Sequence, residues 1–377
     1  LGADIPMCGV PVHAAEGYLL TLIRKGFRVA IAEQTESPAE ARKARGSKAL
    51  VERAIIRLVT PGTLTEESLL DSAAPNWLAA VARAGDEWGI AAADISTGRF
   101  ELIACGPGEL QAELARLSPA ETIADGSVPG VRCTAGKGGF DSLAGERALK
   151  SRFAVPSLDG FGELTRAELA AAGGLLAYLE ATQKQATAFL AAPRRIARLQ
   201  HMAIDAATRA SLEICRTSDG QVTGSLVADV DRCVTAAGRR LLGQDLSAPL
   251  LEQRQIEARL ELVAWLHEDE LRRGRVRSAL RALPDISRAM GRLVAGRGGP
   301  RDLTLLRDGL SGAATLRKEL SDETIRPPLL DGLLPKLGGH EALVDRLTAA
   351  LVASPPLDAS KGGYIAEGYD ANLDGLR

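Results

Sequence analysis

The sequence has few of the residues that build metal centres and disulfide frameworks. Its five cysteines are odd in number and widely spaced, with no Cys-x-x-Cys pair, and its four histidines are equally scattered. A zinc site needs ligands that converge at characteristic spacings, so neither a metal centre nor a disulfide framework is indicated. Unpaired cysteines are typical of a reducing compartment, so we expect a cytoplasmic protein without a metal.

Aromatic residues, net charge and long apolar runs are also scarce. Aromatics make up 3% of the residues and the formal net charge is −2. A dedicated nucleic-acid module usually carries a clear basic excess, so this segment is not expected to be the main surface that grips DNA. No stretch approaches the roughly 20 apolar residues of a membrane helix, so no membrane partner is expected. The chain begins without Met, lacks a signal-peptide pattern and stops just after a loop-like stretch, which together lead us to expect an interior fragment.

With 377 residues the chain is long enough for two or three domains, and its first part is mixed α and β. Apolar residues at helical spacing in Glu16 to Lys25 predict a helix that Gly26 ends. Alternation in Phe27 to Ile31 and the apolar run Ala54 to Val59 predict two strands. Between them, Ser37 to Glu40 is a capping box that begins a helix. We place the end of this unit at residue 73.

The second unit, residues 74–197, is predicted to contain an antiparallel meander. Its three short apolar segments are Trp77 to Ala82, Trp88 to Ile95 and Arg99 to Ala104, and turn-forming clusters separate them. The Gly- and Pro-rich stretch Asp125 to Gly139 is expected to be a surface loop. A second capping box, Thr165 to Glu168, begins a long helix.

From residue 198 the strand patterns stop and apolar residues recur in steps of three and four. Ile256, Leu260, Val263 and Leu266 form one such stripe, and Leu343, Leu347 and Leu351 form another. Long helices with a single apolar stripe must pack against one another, so residues 198–365 are predicted to be an all-α domain. The fold class is therefore multidomain, α/β followed by all-α.

Motifs for nucleotide chemistry are missing. The strings nearest to a phosphate-binding loop, Ala135 to Gly138 and Gly296 to Gly299, lack its spacing, so no cofactor site is expected in this segment. Asp94 ends a meander strand and offers a nuclease hypothesis, with Glu87, Glu101 and Asp125 as further carboxylates. An Asp that turns into Ser-Thr-Gly is more often a turn-capping group, which is the interpretation we favour.

Three basic clusters are candidates for phosphate contacts, which position a protein on DNA without reading its sequence. No aromatic residue is interleaved with them, and we favour their interpretation as solvated faces balanced by nearby carboxylates. They are Arg42-Lys43-Arg45-Lys48, Arg194-Arg195-Arg198 and Arg272-Arg273-Arg275-Arg277.

Several strings, spread along nearly the whole chain, resemble in family order the MutS family of DNA mismatch-repair proteins, of the bacterial type. The first two resemble the later part and the end of its mismatch-binding domain, the third its connector domain, and the rest its helical core up to the clamp. These strings are PMCGVPVHA (6–14) with VAIAEQ (29–34), VTPGTL (59–64), DISTG (94–98), MAIDAATRASLEI (202–214), PRDL (300–303) and GGYIAEGY (362–369).

The resemblance implies a mismatch-binding remnant in 1–73, a ribonuclease-H-like connector without nuclease activity in 74–197, a core or lever domain in 198–365 and the start of a clamp in 366–377. It implies no enzymatic activity for this segment. In the intact family protein it implies a homodimer that binds mispaired double-stranded DNA, uses ATP and Mg²⁺, recruits downstream repair factors and lies in the cytoplasm on the nucleoid.

The residues that the resemblance places near DNA are Pro6, Met7 and Cys8. The family's mismatch-probing Phe-x-Glu motif would precede Leu1, and Phe161-Gly162-Glu163 is rejected as a substitute because it lies in the connector region before a helix cap. The chain departs from the family at Ala210-Ser211, where Arg-Asn is common, and at Gln244-Asp245, where a basic-aromatic pair is common. Both departures bear on local packing or subunit contacts.

Two other classes of function stay open from the residues alone. One is a metal-dependent nuclease centred on Asp94. The other is a non-catalytic helical scaffold that serves only protein contacts.

Overall fold

The protein is described by a computed structural model that covers residues 14–183, 189–197, 200–357 and 359–377. We refer to residues 14–73 as the N-terminal unit, to the described residues of 74–197 as the middle unit and to those of 200–377 as the helical unit. None of the helices in these ranges is both long enough and apolar enough to cross a membrane.

The N-terminal unit is a small α/β structure. Its elements are α1 (Ala15–Arg24), β1 (Val29–Gln34), α2 (Pro38–Arg45) and β2 (Arg53–Val59), and the two strands pair antiparallel. Gly26 has φ +81°, which a glycine adopts without steric cost, and it follows α1 as predicted. The predicted capping box is confirmed, since the Ser37 hydroxyl accepts from the Glu40 backbone N–H and the Glu40 carboxylate accepts from that of Ser37.

The middle unit is built on a six-stranded sheet. Its strands are β3 (Leu78–Ala84), β4 (Glu87–Asp94), β5 (Arg99–Cys105), β6 (Glu121–Ala124), β7 (Thr134–Ala135) and β8 (Arg194–Ile196), in the order β7-β6-β3-β4-β5-β8. Strands β3, β4 and β5 form the predicted antiparallel meander, and the other three join in parallel. The loop prediction for 125–139 was wrong at β7. Two residues are too few to show a strand period, and β7 forms by pairing with the distant β6.

Helices cover both faces of this sheet. The long helix α5 (Arg166–Gln183) packs with α4 (Ser142–Phe153) on one face, and α3 (Leu110–Leu117) covers the other. Gly89 in β4 permits the close contact between α5 and the sheet, because a Cβ there would lie 2.1 Å from the carbonyl oxygen of Ala167 in α5. The mixed sheet with flanking helices agrees with the predicted connector.

The helical unit contains ten α-helices in the residues that the structure describes. They are α6 (Ala206–Ser211), α7 (Leu226–Val230), α8 (Ala236–Ser247), α9 (Gln253–Glu268), α10 (Glu270–Ala282), α11 (Ile286–Val294), α12 (Pro300–Ser321), α13 (Pro328–Leu333), α14 (Glu341–Ala350) and α15 (Ala371–Leu376). Helix α12 is central and contacts α10, α11 and α14. The predicted α/β-plus-all-α fold class is confirmed.

One predicted apolar stripe was wrong at three of its four residues. Ile256, Leu260 and Val263 of α9 are 37%, 61% and 62% exposed, and the helix packs instead through Leu262, Trp265 and Leu266. The Trp265 indole N–H donates to the Ile325 carbonyl over 2.9 Å. The largest side chain of the helix thus faces the core, and this rotates the predicted stripe toward solvent.

Candidate functional site at the junction of the three units

The turn that follows β4 is held by its first residue. Asp94 is 1% exposed, and one of its carboxylate oxygens accepts from the Ser96 backbone N–H over 3.0 Å and from the Ser96 hydroxyl over 2.6 Å. The other accepts from the Asn76 N–H over 3.3 Å. Gly98 closes the turn with φ +78°. The predicted turn-capping role of Asp94 is confirmed.

This geometry gives no support to the nuclease hypothesis. One oxygen of Asp94 is used within the turn and the other accepts from the Asn76 N–H, and Glu87 lies at the opposite end of the same strand. Glu101 instead pairs with Arg99 over 2.7 Å. Within the described ranges, no group of three or more His, Cys, Asp or Glu residues is placed to hold a metal ion.

Helix α11 of the helical unit docks on this turn without intervening side chains. A Cβ added to Gly291 would lie 2.4 Å from the Ser96 carbonyl oxygen and 3.2 Å from that of Ile95. Such distances mean backbone against backbone, which only glycine allows. The turn with the DISTG sequence is therefore the surface on which α11 docks, and we call this turn, residues 94–98, the seat of α11.

Two buried arginines of the helical unit bind the segment that joins the N-terminal and middle units. Arg288 of α11 is 2% exposed and donates to the carbonyl oxygens of Asp71 over 2.6 Å and Ala74 over 3.1 Å. Arg240 of α8 donates to the Ser72 carbonyl over 3.1 Å and pairs with Asp285 over 2.7 Å. We call this segment, residues 71–76, the linker.

We call the contacts that residues 288–297 and Arg240 make with the turn after β4, the linker and the N-terminal unit the junction. Two further arginines extend the junction to the N-terminal unit. Arg292 pairs with Glu67 over 3.2 Å and also binds Asp302 at the start of α12. Arg297 donates to the Thr65 hydroxyl and to the side-chain oxygen of Gln183 at the end of α5. A single stretch of the helical unit, residues 288–297, thereby contacts both other units.

Burial shapes the electrostatics of these groups. Burial alone would raise the pKa of Asp285, but its hydrogen bond and ion pair with Arg240 hold that pKa below the ordinary value. Burial lowers the pKa of Arg297 to about 10, so this guanidinium stays charged at neutral pH. The junction therefore contains ion pairs that are largely shielded from water. In such a setting the removal of one partner leaves the other charge buried and uncompensated.

A second buried contact ties the N-terminal unit to the sheet. The carboxylate of Glu121 in β6 accepts from the Tyr178 hydroxyl over 2.8 Å, from the Gly62 N–H over 3.2 Å and from the Thr60 hydroxyl. Burial, and then the Glu121 charge, raise the pKa of Tyr178, which therefore stays protonated as a donor. The VTPGTL string is thus a docking loop on the middle unit.

The basic clusters mostly serve internal contacts, as favoured from the sequence. Arg195 binds the buried Glu168 over 3.1 Å. Arg272 and Arg275 of α10 both pair with Glu323 beyond α12, over 3.3 and 3.1 Å. Arg198 lies outside the described residues, as do the predicted DNA-proximal residues Pro6, Met7 and Cys8.

The departures from the family pattern have clear local settings. Gln244 accepts a hydrogen bond from Arg99 of β5, and Asp245 pairs with Arg259 of α9 over 3.0 Å. Gln244 therefore forms part of the contact between the helical and middle units. Ala210 and Ser211 end α6 on an exposed surface.

Comparison with known proteins agrees with this architecture. The chain matches the family models for MutS domain I over residues 1–68, MutS domain II over 76–191 and MutS domain III over 207–374. It is 55% identical to the DNA mismatch repair protein MutS of Zymomonas mobilis, an alignment that covers 99% of this chain and 44% of that protein. The MutS protein of Erythrobacter litoralis is 52% identical, over 100% of this chain and 44% of its own length. The chain thus spans less than half the length of these relatives, and it belongs to the MutS family.

Proposed function

We propose that this chain is the coupling part of a MutS-type mismatch-repair protein. The observation that carries the proposal is the junction itself. One stretch of the helical unit, residues 288–297, is seated on the turn after β4, binds the linker and reaches the N-terminal unit. A displacement of α11 would therefore be passed to both other units at once.

The proposed domains are the end of a mismatch-binding domain in 1–73, a connector in 74–197, a core or lever domain in 198–365 and the start of a clamp in 366–377. In the whole protein we propose that a homodimer encircles DNA, recognises a mispair, uses ATP with Mg²⁺ to become a sliding clamp and recruits downstream repair factors. Recognition and ATP hydrolysis would lie in other parts of that protein. We propose a cytoplasmic, nucleoid-associated location, with Pro6, Met7 and Cys8 close to the DNA.

The stiffness of the junction supports a coupling role. Contacts between backbones, as at Gly291 and Ser96, cannot be absorbed by a change of side-chain rotamer. Buried ion pairs such as Arg240 with Asp285 have few alternative arrangements. Rigid elements joined in this way move as bodies, which is how a change at one site reaches a distant one.

The experiment is a chimera with the Zymomonas mobilis protein, in which the aligned segment is replaced by residues 1–377. Binding to matched and mispaired duplexes of the same length is measured by fluorescence anisotropy, with and without ATP. We expect preference for the mispaired duplex and loss of that preference with ATP. Equal affinity for both duplexes, from a folded chimera, would contradict the proposal and favour the helical scaffold.

The isolated chain provides the matching control. Because the formal net charge is −2 and arginines such as Arg195, Arg272 and Arg275 pair with carboxylates of the same chain, we expect weak DNA binding with no preference for a mispair. Clear discrimination by the 377-residue chain would instead place mismatch recognition within it. Cleavage of DNA by the chain with Mg²⁺, lost in Asp94→Asn, would favour the nuclease alternative and contradict a role limited to coupling.

A further inference from the structure

A cavity of about 680 Å³ lies between the middle and helical units. Its walls come from the linker, from β5 and the end of α3, from β8 and from helices α7, α8 and α9. This volume is within the range of pockets that hold small-molecule ligands. It is separate from the seat of α11, since neither Ser96 nor Gly291 lines it.

The lining of this cavity has more positive than negative charge. Seven arginines line it against four carboxylates. Glu101 pairs with both Arg99 at 2.7 Å and Arg194 at 3.6 Å, so one negative charge compensates two positive charges only in part. The arginines are Arg99, Arg116, Arg194, Arg216, Arg239, Arg240 and Arg259, and the carboxylates are Asp71, Glu101, Asp231 and Asp245.

Several hydrogen-bond donors in the cavity wall and next to it have no partner among the described residues. Arg116, with its side chain 11% exposed, uses Nε on Glu113 over 2.8 Å, while its buried Nη2 has no hydrogen-bond partner among the described residues. The side-chain nitrogen of Gln244 also has no hydrogen-bond partner among these residues. The same holds for Nε and Nη1 of Arg209, whose charge interacts with that of Arg116. Buried donors are normally satisfied, so these groups leave an unmet demand for a hydrogen-bond acceptor beside the cavity.

A histidine lies close to two of these arginines. His201 lines the cavity, and its pKa is lowered by burial and then by the charge of Arg116. Arg194 acts in the same direction, while Glu113 and Glu101 oppose both. A bound anion would offset the two arginines, so it would restore the proton affinity of this imidazole.

We propose that this cavity is a binding site for a small phosphate-bearing anion, held by Arg116, Arg194 and His201. Guanidinium groups bind phosphate through paired N–H donors, and phosphate oxygens accept from several donors at once. Trp77 and Leu250 add apolar surface to the wall, and a less polar surrounding strengthens such contacts. The site is independent of the proposed repair function, and either can fail without the other.

The test is isothermal titration of the 377-residue chain, without Mg²⁺, with inorganic tripolyphosphate, ATP and adenosine. We expect tripolyphosphate and ATP to bind at a single site, with affinity that falls as NaCl is raised, and adenosine not to bind. Binding of tripolyphosphate alone would identify a free polyphosphate as the ligand, and tighter binding of ATP would identify a nucleotide. Binding of adenosine as tightly as ATP, or of none of the three, would overturn the proposal.

Variants locate the site. Arg194→Gln changes a side chain that is 63% exposed, and Arg116→Gln removes the unpartnered donor. Each should weaken binding of tripolyphosphate about tenfold, the cost of losing a charged hydrogen bond. Arg83→Gln is the matched control, since that arginine pairs with Asp86 at the far hairpin and does not line the cavity. Unchanged affinity in both cavity variants would overturn the assignment.

Discussion

Replacement of Gly291 by alanine tests whether α11 is seated directly on the turn after β4. In an ordinary helix interior this change is favourable, because alanine has the higher helix propensity by about 1 kcal/mol. Here the new methyl group would lie 2.4 Å from the Ser96 carbonyl oxygen and 3.0 Å from its carbonyl carbon. Neither atom can rotate away, so α11 must shift on its seat.

The magnitude follows from these two opposing effects. Forcing a methyl group into a packed contact costs typically about 1–3 kcal/mol, which outweighs the gain in helix propensity. We expect Gly291→Ala to lower the free energy of unfolding by about 1 kcal/mol. Gly274 in α10 is the matched control, because a Cβ there meets nothing within 4 Å. Gly274→Ala should raise the same free energy by up to about 1 kcal/mol.

Urea unfolding followed by circular dichroism measures both variants, and hydrogen exchange of residues 94–98 reports on the seat itself. We expect opposite shifts of the unfolding midpoint and faster exchange at 94–98 in Gly291→Ala alone. If Gly291→Ala gained stability as Gly274→Ala does, the close backbone contact would be refuted.

Three further predictions concern single side chains. Arg288→Ala removes the donor to two linker carbonyl oxygens and empties the space of a side chain that is 2% exposed, so it should cost about 3 kcal/mol in urea unfolding, against about 0.5 kcal/mol or less for the exposed Arg281→Ala. Tyr178→Phe removes one of the donors to the buried Glu121 carboxylate and should cost about 1–2 kcal/mol in the same assay. His201 has a pKa below its ordinary 6.5, so stability should fall as pH drops below about 6.5, and His201→Asn should lose that part of the decline.

The sign of the pH effect follows from proton binding. Below its ordinary pKa the imidazole of the unfolded chain takes up a proton that the folded state, with burial and Arg116 beside it, binds less readily. Acidification therefore favours unfolding. The unmodified chain and the His201→Asn variant share the other three histidines. The difference between the stability–pH profiles of the two proteins therefore isolates the contribution of His201. Parallel profiles would show that this imidazole keeps its ordinary pKa.

Local rules predicted most of the elements. The capping boxes at Ser37 and Thr165 gave correct helix starts, since a cap depends only on residues three apart. The meander followed from apolar segments and turn clusters. Strand β7 could not be predicted because two residues carry no period, and the rotation of α9 depended on where Trp265 finds its core.

The junction was almost invisible in the sequence. Arg288 binds carbonyl oxygens more than 200 residues away, and nothing local distinguishes it from other arginines on the same helices. Gly291 offered the one available indication, because a glycine inside a helix usually has a packing reason. The DISTG string was recognised, and its capping by Asp94 predicted, but its role as the seat of α11 required the fold.

We propose above all that this chain couples the parts of a mismatch-repair protein through the junction. The most direct test is the mutation frequency of a mismatch-repair-deficient bacterial strain that expresses the Zymomonas mobilis chimera. We predict that the chimera restores a low mutation frequency, that Arg281→Ala retains it and that Arg288→Ala raises it at equal protein level. Full repair by the Arg288→Ala chimera, or none by a folded and abundant unmodified chimera, would contradict the claim.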